Sequence, residues 1–118
     1  MTSYKELTVW QQSYAFGLKI YKITKNFPTD EKFGLVSQLR RASISIPSNI
    51  AEGSKRSTRK DYRSFLIIAY GSGAEIETQL LFSKDLGYIK LEDYTTLEID
   101  LTKIMKMLNV IIQKLEQV

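Results

Sequence analysis

The sequence predicts an all-α fold, in which residues 1–118 form a single domain with the architecture of an antiparallel up-down-up-down four-helix bundle. Apolar residues recur at helical spacing along nearly the whole chain. Pro28, Gly53 and Gly87 interrupt this pattern where short turns would separate four helices. The run 43–46 alternates like a short strand, but no partner strand can be identified elsewhere, so we assign it to a helix.

The first helical segment, from Leu7 to Phe27, has two apolar faces. One face consists of Leu7, Trp10, Tyr14, Leu18 and Tyr21, and the nearly opposite face consists of Val9, Phe16, Ile20 and Phe27. A surface helix of a monomer needs one apolar stripe, so another element or another subunit must cover the second. Because a four-helix bundle has no central helix, we predict a homo-oligomer whose interface is formed by Val9, Phe16, Ile20 and Phe27.

Helix two should begin after Pro28, with Thr29 as its N-cap and two acidic residues in its first turn, where carboxylates suit the helix dipole. Pro47 lies inside this helix and cannot donate a hydrogen bond to the carbonyl of Ser43. It therefore predicts a kink or a break in helix two. The buried stripe should consist of Leu35, Leu39, Ala42, Ile46 and Ile50.

Gly53 suits a helix C-cap, and Thr58 has the spacing of a capping box with Asp61 at the start of helix three. Helix three should run to about Gly87. Its inward residues are predicted to be Tyr62, Phe65, Leu66, Ala69, Gly73, Ile76 and Leu80. Helix four has a seam with alternating spacings of three and four, as in a coiled coil: Tyr94, Leu97, Leu101, Ile104, Leu108, Ile111 and Leu115.

The composition excludes several classes of function. The chain has no cysteine and no histidine, which rules out thiol nucleophiles, Ser-His and Cys-His catalysis, and most zinc and di-iron sites of helical bundles. We therefore expect no enzyme activity, no metal and no cofactor. No signal sequence or apolar run of membrane-spanning length is present, so we expect a cytoplasmic protein that does not bind a membrane.

Positive charge is concentrated between Gln38 and Arg63. This segment holds all five arginines and two lysines against two acidic residues, which gives seven minus two, or +5. The remaining residues hold ten lysines and eleven acidic residues, or −1. A basic stripe of this kind is the usual electrostatic footprint of nucleic-acid binding.

The segment has two basic parts. Arg40 and Arg41 are adjacent on a helix, so they point about 100° apart and cannot both serve one surface patch. They either contribute to a nucleic-acid surface or pair internally with Glu52, Glu75 or Glu77. The better candidates lie in an exposed turn and helix start, where phosphate contacts with little sequence preference are expected: Lys55, Arg56, Arg59, Lys60 and Arg63.

The sequence also resembles a known family of small four-helix bundles. The carrying residues are Trp10, Phe33-Gly34-Leu35, Gln38 to Ala42, Ser45 to Gly53 (SIPSNIAEG) and Ala74 to Thr78. In these residues it resembles the proteins encoded in intervening sequences of bacterial 23S ribosomal RNA genes. The resemblance implies an antiparallel bundle that assembles as a ring, commonly a pentamer. Related accessory proteins of diversity-generating retroelements bind nucleic acid and a reverse transcriptase.

We therefore predict a non-enzymatic homo-oligomeric bundle that binds nucleic acid through the basic turn between helices two and three. RNA or a ribonucleoprotein is the favoured ligand, and DNA is the other nucleic acid considered. The alternative is an oligomeric adaptor or scaffold that binds another protein, such as a nucleic-acid-processing protein, without touching nucleic acid. In that case the basic turn serves only solubility.

Overall fold

A computed structural model describes residues 3–116 and confirms the all-α prediction. Four long helices run antiparallel to their neighbours, and the bundle measures 46 × 22 × 20 Å. No strand occurs in the described part of the chain. The helices are α1 (Thr8–Thr24), α2 (Leu35–Ser54), α3 (Arg59–Asp85) and α4 (Leu91–Glu116), and one-turn 3-10 helices lie at Tyr4–Glu6 and Thr29–Glu31.

The core contains the stripes predicted for the last three helices. In α2 the stripe is buried from Leu39 to Ile50, and Leu35 is half-buried. In α4 the seam is buried from Leu97 to Leu108. One turn later Ile112 replaces the predicted Ile111 as the buried residue. The reason is that a straight helix has 3.6 residues per turn, so a strict 3.5-residue seam drifts around its surface.

The prediction for α1 assigned the two faces wrongly. Val9, Phe16 and Ile20 are at most 2% exposed, and Phe27 beyond the helix is 8% exposed, all against the chain's own core. They leave no surface for another subunit. Two hydroxyl residues share this buried face. Ser13 donates to the Trp10 carbonyl at 3.0 Å, and Thr24 donates to the Ile20 carbonyl at 2.7 Å. Because the helix itself satisfies these hydroxyls, the face can be buried despite its polar residues.

The helix boundaries differ from the prediction at two places. Thr29 begins a separate turn, and α2 starts only at Leu35, whose N–H donates to the Glu31 carboxylate at 3.2 Å. Gly53 is not a C-cap, because α2 continues to Ser54. The predicted cap at Thr58 is confirmed: its Oγ1 accepts from the Asp61 N–H at 3.1 Å.

Helix α2 continues through Pro47 without a break, and a kink there stays a prediction. Polar side chains near the proline support this region. Asn49 donates to the Ser45 carbonyl at 2.8 Å, and Ser72 of α3 donates to the Ser45 hydroxyl at 2.8 Å. The second bond joins α2 to α3 beside the disturbed turn and helps to fix the alignment of the two helices.

Candidate functional site

One end of the bundle is strongly basic. There α2 ends and α3 begins, and the Lys55 ammonium lies 5.8 Å from the centre of the Tyr4 ring, which places the N-terminal turn alongside. Residues 3–7, 52–63 and 112–116 together hold seven cations and four acidic residues, a net charge of +3. At the opposite end, residues 21–34 and 82–94 hold five cations and five acidic residues, a net charge of zero.

Two of the predicted nucleic-acid contacts serve the fold. Arg59 donates to the Lys114 carbonyl at 2.8 Å, and Arg63 donates to the Ile112 carbonyl at 3.2 Å. These carbonyls belong to the last turns of α4, where helical donors run out and the helix dipole favours positive charge. Arg63 also lies 3.6 Å from the Glu116 carboxylate. Both arginines therefore hold the end of α4 against the start of α3.

Arg59 is nevertheless exposed, as are the other three predicted contacts, and Arg63 is partly buried. Arg56 pairs with Glu52 one turn earlier at 2.8 Å, and its guanidinium lies 4.7 Å from the centre of the Phe65 ring. About half of the Arg56 side chain, 46%, remains open to solvent. Lys55 and Lys60 are exposed as well. Lys55 and Arg56 therefore lie in the exposed turn and Lys60 in the first turn of α3, beside the two arginines that face α4.

Tyr62 marks the boundary between this turn and the core. Its ring packs against the buried cluster, and burial raises the pKa of its hydroxyl above the usual value of a tyrosine. The side chain is largely buried, so it offers little surface for stacking. No other aromatic residue occurs between Lys55 and Arg63, so this segment offers little for base stacking.

Arg40 and Arg41 have separate roles, in agreement with their divergent directions. Arg40 donates to the Thr24 hydroxyl at 2.9 Å and to the Tyr21 carbonyl at 3.2 Å, at the C-terminal end of α1. Its guanidinium also lies 4.6 Å from the centre of the Tyr21 ring. Arg41 lies 3.8 Å from the Glu75 carboxylate, and 68% of its side chain is exposed. Only Arg41 is thus readily available to a ligand.

An apolar groove of about 430 Å³ lies between α1 and α2, and its lining reaches Tyr4 beside the basic turn. Its aromatic wall includes Trp10 and Tyr14, whose rings stack with centres 5.1 Å apart. Tyr14 and Leu18 are more than half exposed, at 51% and 59%. The groove is lined by Tyr4, Trp10, Tyr14, Gly17, Leu18, Tyr21, Ser43, Ile44, Pro47, Ser48 and Ala51.

Sequence reasoning missed this groove although the signal was present. The two apolar faces of α1 were recognised, but the face of Trp10 and Tyr14 was assigned to the core. Tyrosine and tryptophan have polar groups at the edge of an apolar ring, so they tolerate a surface better than phenylalanine or valine. That difference could have distinguished the two faces.

The described residues contain no cluster of three or more acidic side chains placed to hold a metal ion. Within the same residues no helix is both long and apolar enough to cross a membrane.

Comparisons with known proteins agree with the fold. Residues 5–110 match the family described as 23S rRNA-intervening sequence protein. The crystal structure of a protein with unknown function from the S23 ribosomal protein family of Bacteroides thetaiotaomicron VPI-5482 is also similar. It is 31% identical, with a TM-score of 0.81, over 89% of this chain and 98% of that chain. No protein with a curated description matches.

Neither the family description nor that of the solved relative names a catalytic activity. The family match extends over most of the chain, and the solved relative shares its fold over nearly its full length. The chain therefore belongs to the 23S rRNA-intervening sequence protein family.

Proposed function

We propose that this protein is a non-enzymatic, self-associating helical bundle that binds nucleic acid through the basic end of the bundle. The observation that carries the proposal is the net charge of +3 at one end against zero at the other. Lys55, Arg56 and Lys60 supply the accessible charges, and Arg59 and Arg63 strengthen the local positive potential while they hold α4.

The expected contacts are with phosphates. Lysine and arginine side chains on an exposed turn release counterions when they neutralise phosphates, and they do so without reading base edges. Nucleic acid of any sequence should therefore bind, RNA and DNA alike, with an affinity that falls steeply as salt is added. The cytoplasm is the compartment in which we expect this binding.

The proposal is tested by fluorescence anisotropy with a labelled RNA and a labelled DNA duplex at several salt concentrations. Three charges are removed in the variant Lys55→Gln/Arg56→Gln/Lys60→Gln. Three exposed lysines elsewhere are changed in the matched control: Lys90→Gln, Lys103→Gln and Lys106→Gln. Both variants have the same net charge, so a difference between them reports the position of the charges.

We expect the turn variant to weaken binding and to reduce the slope of log affinity against log salt by about 2 for three lost contacts to single strands. The control should change the slope much less. Binding that is undetectable near physiological salt would refute the proposal, and so would an equal loss in both variants. Arg59 and Arg63 stay unchanged because their substitution would also disturb α4.

A second candidate function is an adaptor that binds another protein, and the groove between α1 and α2 favours it. Exposed apolar and aromatic side chains that line a groove are typical of protein interfaces. A second copy of the chain could fill this groove, with five subunits expected from the family resemblance. A different protein, such as one that processes nucleic acid, could fill it instead.

Affinity capture of the protein from a cell lysate, with and without nuclease treatment, distinguishes the adaptor function from direct binding of nucleic acid. A partner that stays bound after nuclease treatment favours the adaptor. Loss of all partners on nuclease treatment favours direct binding of nucleic acid.

A further inference from the structure

A second cleft lies on the side of α2 nearer its N-terminus, away from the basic turn. Its volume is about 510 Å³, which is within the range of small-molecule sites. Three of its lining residues are cations, two are aromatic and none is acidic. The lining consists of Tyr21, Lys32, Phe33, Val36, Ser37, Arg40, Arg41 and Ile44.

Phe33 is the unusual residue of this cleft. It is 88% exposed, more than any other large apolar side chain among the described residues. Its backbone is nevertheless well held, because the Gly34 N–H donates to the Glu31 carbonyl at 3.0 Å and the Lys32 N–H donates to the Thr29 carbonyl at 3.1 Å. An aromatic ring is thus presented to solvent from an ordered turn, and not from a loose loop.

One cation lies over each of the two aromatic rings that line the cleft. The Lys32 ammonium lies 5.5 Å from the centre of the Phe33 ring, and the Arg40 guanidinium lies 4.6 Å from the centre of the Tyr21 ring. Arg40 is fixed by its two hydrogen bonds to the end of α1. Arg41 contacts Glu75 only at 3.8 Å and remains largely exposed, so it can turn toward an incoming anion.

The nearest acidic side chains do not oppose an anion in the cleft. The Glu31 carboxylate accepts from the Leu35 N–H at 3.2 Å and from the Tyr88 hydroxyl at 3.0 Å, which directs it toward the body of the bundle. Glu75 of α3 pairs with Arg41 at 3.8 Å and does not line the cleft. The cleft therefore combines a flat exposed ring with a lining that holds three cations and no acidic residue.

We propose that this cleft binds one unpaired nucleotide of a single-stranded nucleic acid, with its base stacked on Phe33 and its phosphate held by Lys32 and Arg41. The ligand class rests on the proposed function. What this inference adds is a site for base stacking that is separate from the basic end. Stacking on an aromatic ring needs an unpaired base, because the bases of a duplex already stack on each other.

A purely apolar partner fits this cleft less well. It would remove water from the exposed Lys32 ammonium and the largely exposed Arg41 guanidinium without supplying an anion, at considerable cost. A polyanion with flat aromatic groups satisfies both the charges and the ring. Single-stranded nucleic acid is the polymer that offers the two together.

The test uses a fluorescein-labelled single-stranded oligouridylate and a duplex of the same length. Phe33→Ala and Phe33→Leu remove the ring, and Phe33→Trp restores an aromatic surface. Leu91→Ala is the matched control, since Leu91 is also highly exposed, at 69%, and lies outside the cleft. The oligomeric state of every variant is measured by sedimentation velocity at the concentration used for binding.

We expect Phe33→Ala and Phe33→Leu to weaken single-strand binding by about tenfold to a hundredfold, the effect of one lost stacked base. Phe33→Trp should bind like the wild type, and duplex binding should not change. Ultraviolet crosslinking of an oligonucleotide that contains 4-thiouridine should map to the peptide with Phe33.

Wild-type affinity in Phe33→Leu, equal losses for duplex and single strand, or a changed oligomeric state in the Phe33 variants would each overturn this inference. The last result would make Phe33 a subunit contact. The two proposals fail separately. Duplex binding that depends on Lys55, Arg56 and Lys60 but not on Phe33 supports the basic end alone. Single-strand binding that depends only on Phe33 supports the cleft alone.

Discussion

Burial in α1 does not follow the hydrophobicity of the side chains alone. It also depends on where each polar atom finds a hydrogen-bond partner. Ser13 and Thr24 are buried because their hydroxyls bond to carbonyls of the same helix. Tyr14 is exposed and Trp10 is only partly buried, and both have a polar group that can reach water from such a position. A pattern of apolar and polar letters treats serine as polar and tryptophan as apolar, so it assigns the two faces in the reverse order.

Glycine shows the same dependence on local surroundings. Gly53 lies where α2 and α3 approach closely, and a Cβ there would come within 2.8 Å of the Phe65 Cβ and 2.9 Å of the Tyr62 Cδ1. Gly71 lies in the exposed face of α3, where an added Cβ would meet nothing within 4 Å. The two positions therefore predict opposite effects of the same substitution.

Gly53→Ala should lower the free energy of unfolding by about 1–3 kcal/mol, because two packed helices must separate to admit the methyl group. Gly71→Ala should raise it by roughly 0.5–1 kcal/mol, since alanine is the better helix former. Urea denaturation followed by circular dichroism measures both. A neutral or stabilising Gly53→Ala would contradict the close approach of α2 and α3.

At the scale of the elements, polar side chains join helix ends that are distant in sequence. Arg40 caps the end of α1, and Arg63 caps the end of α4. Glu31 receives the first N–H of α2 and the hydroxyl of Tyr88, which follows the turn at Gly87. At both the neutral and the basic end of the bundle, charged side chains thus hold helix ends together by hydrogen bonds.

The bond between Tyr88 and Glu31 predicts a dependence of stability on pH. The pKa of the Tyr88 hydroxyl is raised. The largest cause is the hydrogen bond that the hydroxyl donates to the Glu31 carboxylate, and the smaller causes are burial and the negative charge of nearby carboxylates. The folded state therefore holds this proton more tightly than the unfolded state, whose tyrosine pKa is about 10. The resulting stabilisation is fully present below about pH 10 and is lost as the pH rises through the raised pKa.

Tyr88→Phe should consequently be less stable than the wild type at pH 8, and the difference should shrink by pH 11. Urea unfolding of both proteins at the two pH values measures this, and the comparison cancels the titration of the other tyrosines and lysines. Tyr70→Phe on the outer surface of α3 is the control and should match the wild type at both values. A difference that grows with pH would show that the sign is wrong.

The sequence predicts most of these elements but few of their connections. The seam of α4 and the cap at Thr58 follow from local spacing, and the structure contains both. The contact of Arg63 with α4 joins residues 49 positions apart, and no local pattern indicates it. The cleft at Phe33 likewise combines residues of α1, α2 and the turn before α2, so its aromatic and basic groups become one site only after folding.

For the whole molecule, the surface divides into a basic end, an apolar groove and a cationic cleft. The groove and the cleft share Tyr21 and Ile44, so a partner in one would touch the border of the other. The groove reaches the basic end at Tyr4, and the cleft lies nearer the opposite end of the bundle. A ring of subunits joined through the groove would repeat the basic end once per subunit, and repeated weak phosphate contacts raise the overall affinity for a long nucleic acid.

This arrangement predicts which substitutions in α1 control assembly. We expect the wild type to be larger than a monomer at micromolar concentration. Tyr14→Glu should dissociate it into folded monomers, because it places a charge in the groove on a side chain that is 51% exposed in the single chain. Phe16→Glu should unfold the chain, since Phe16 is 2% exposed and a carboxylate there has no partner in the core.

Sedimentation velocity gives the oligomeric state, and circular dichroism gives the helix content. Ile99→Glu is the matched control: Ile99 lies on α4 outside the groove, it is 50% exposed, and its substitution makes the same change from an apolar to an acidic residue. The control should assemble like the wild type. A monomeric wild type would refute self-association, and dissociation by Ile99→Glu with assembly intact in Tyr14→Glu would move the interface to α4. Folded monomers from Tyr14→Glu would also allow the binding of nucleic acid to be measured without avidity, which separates the contribution of assembly from that of each basic end.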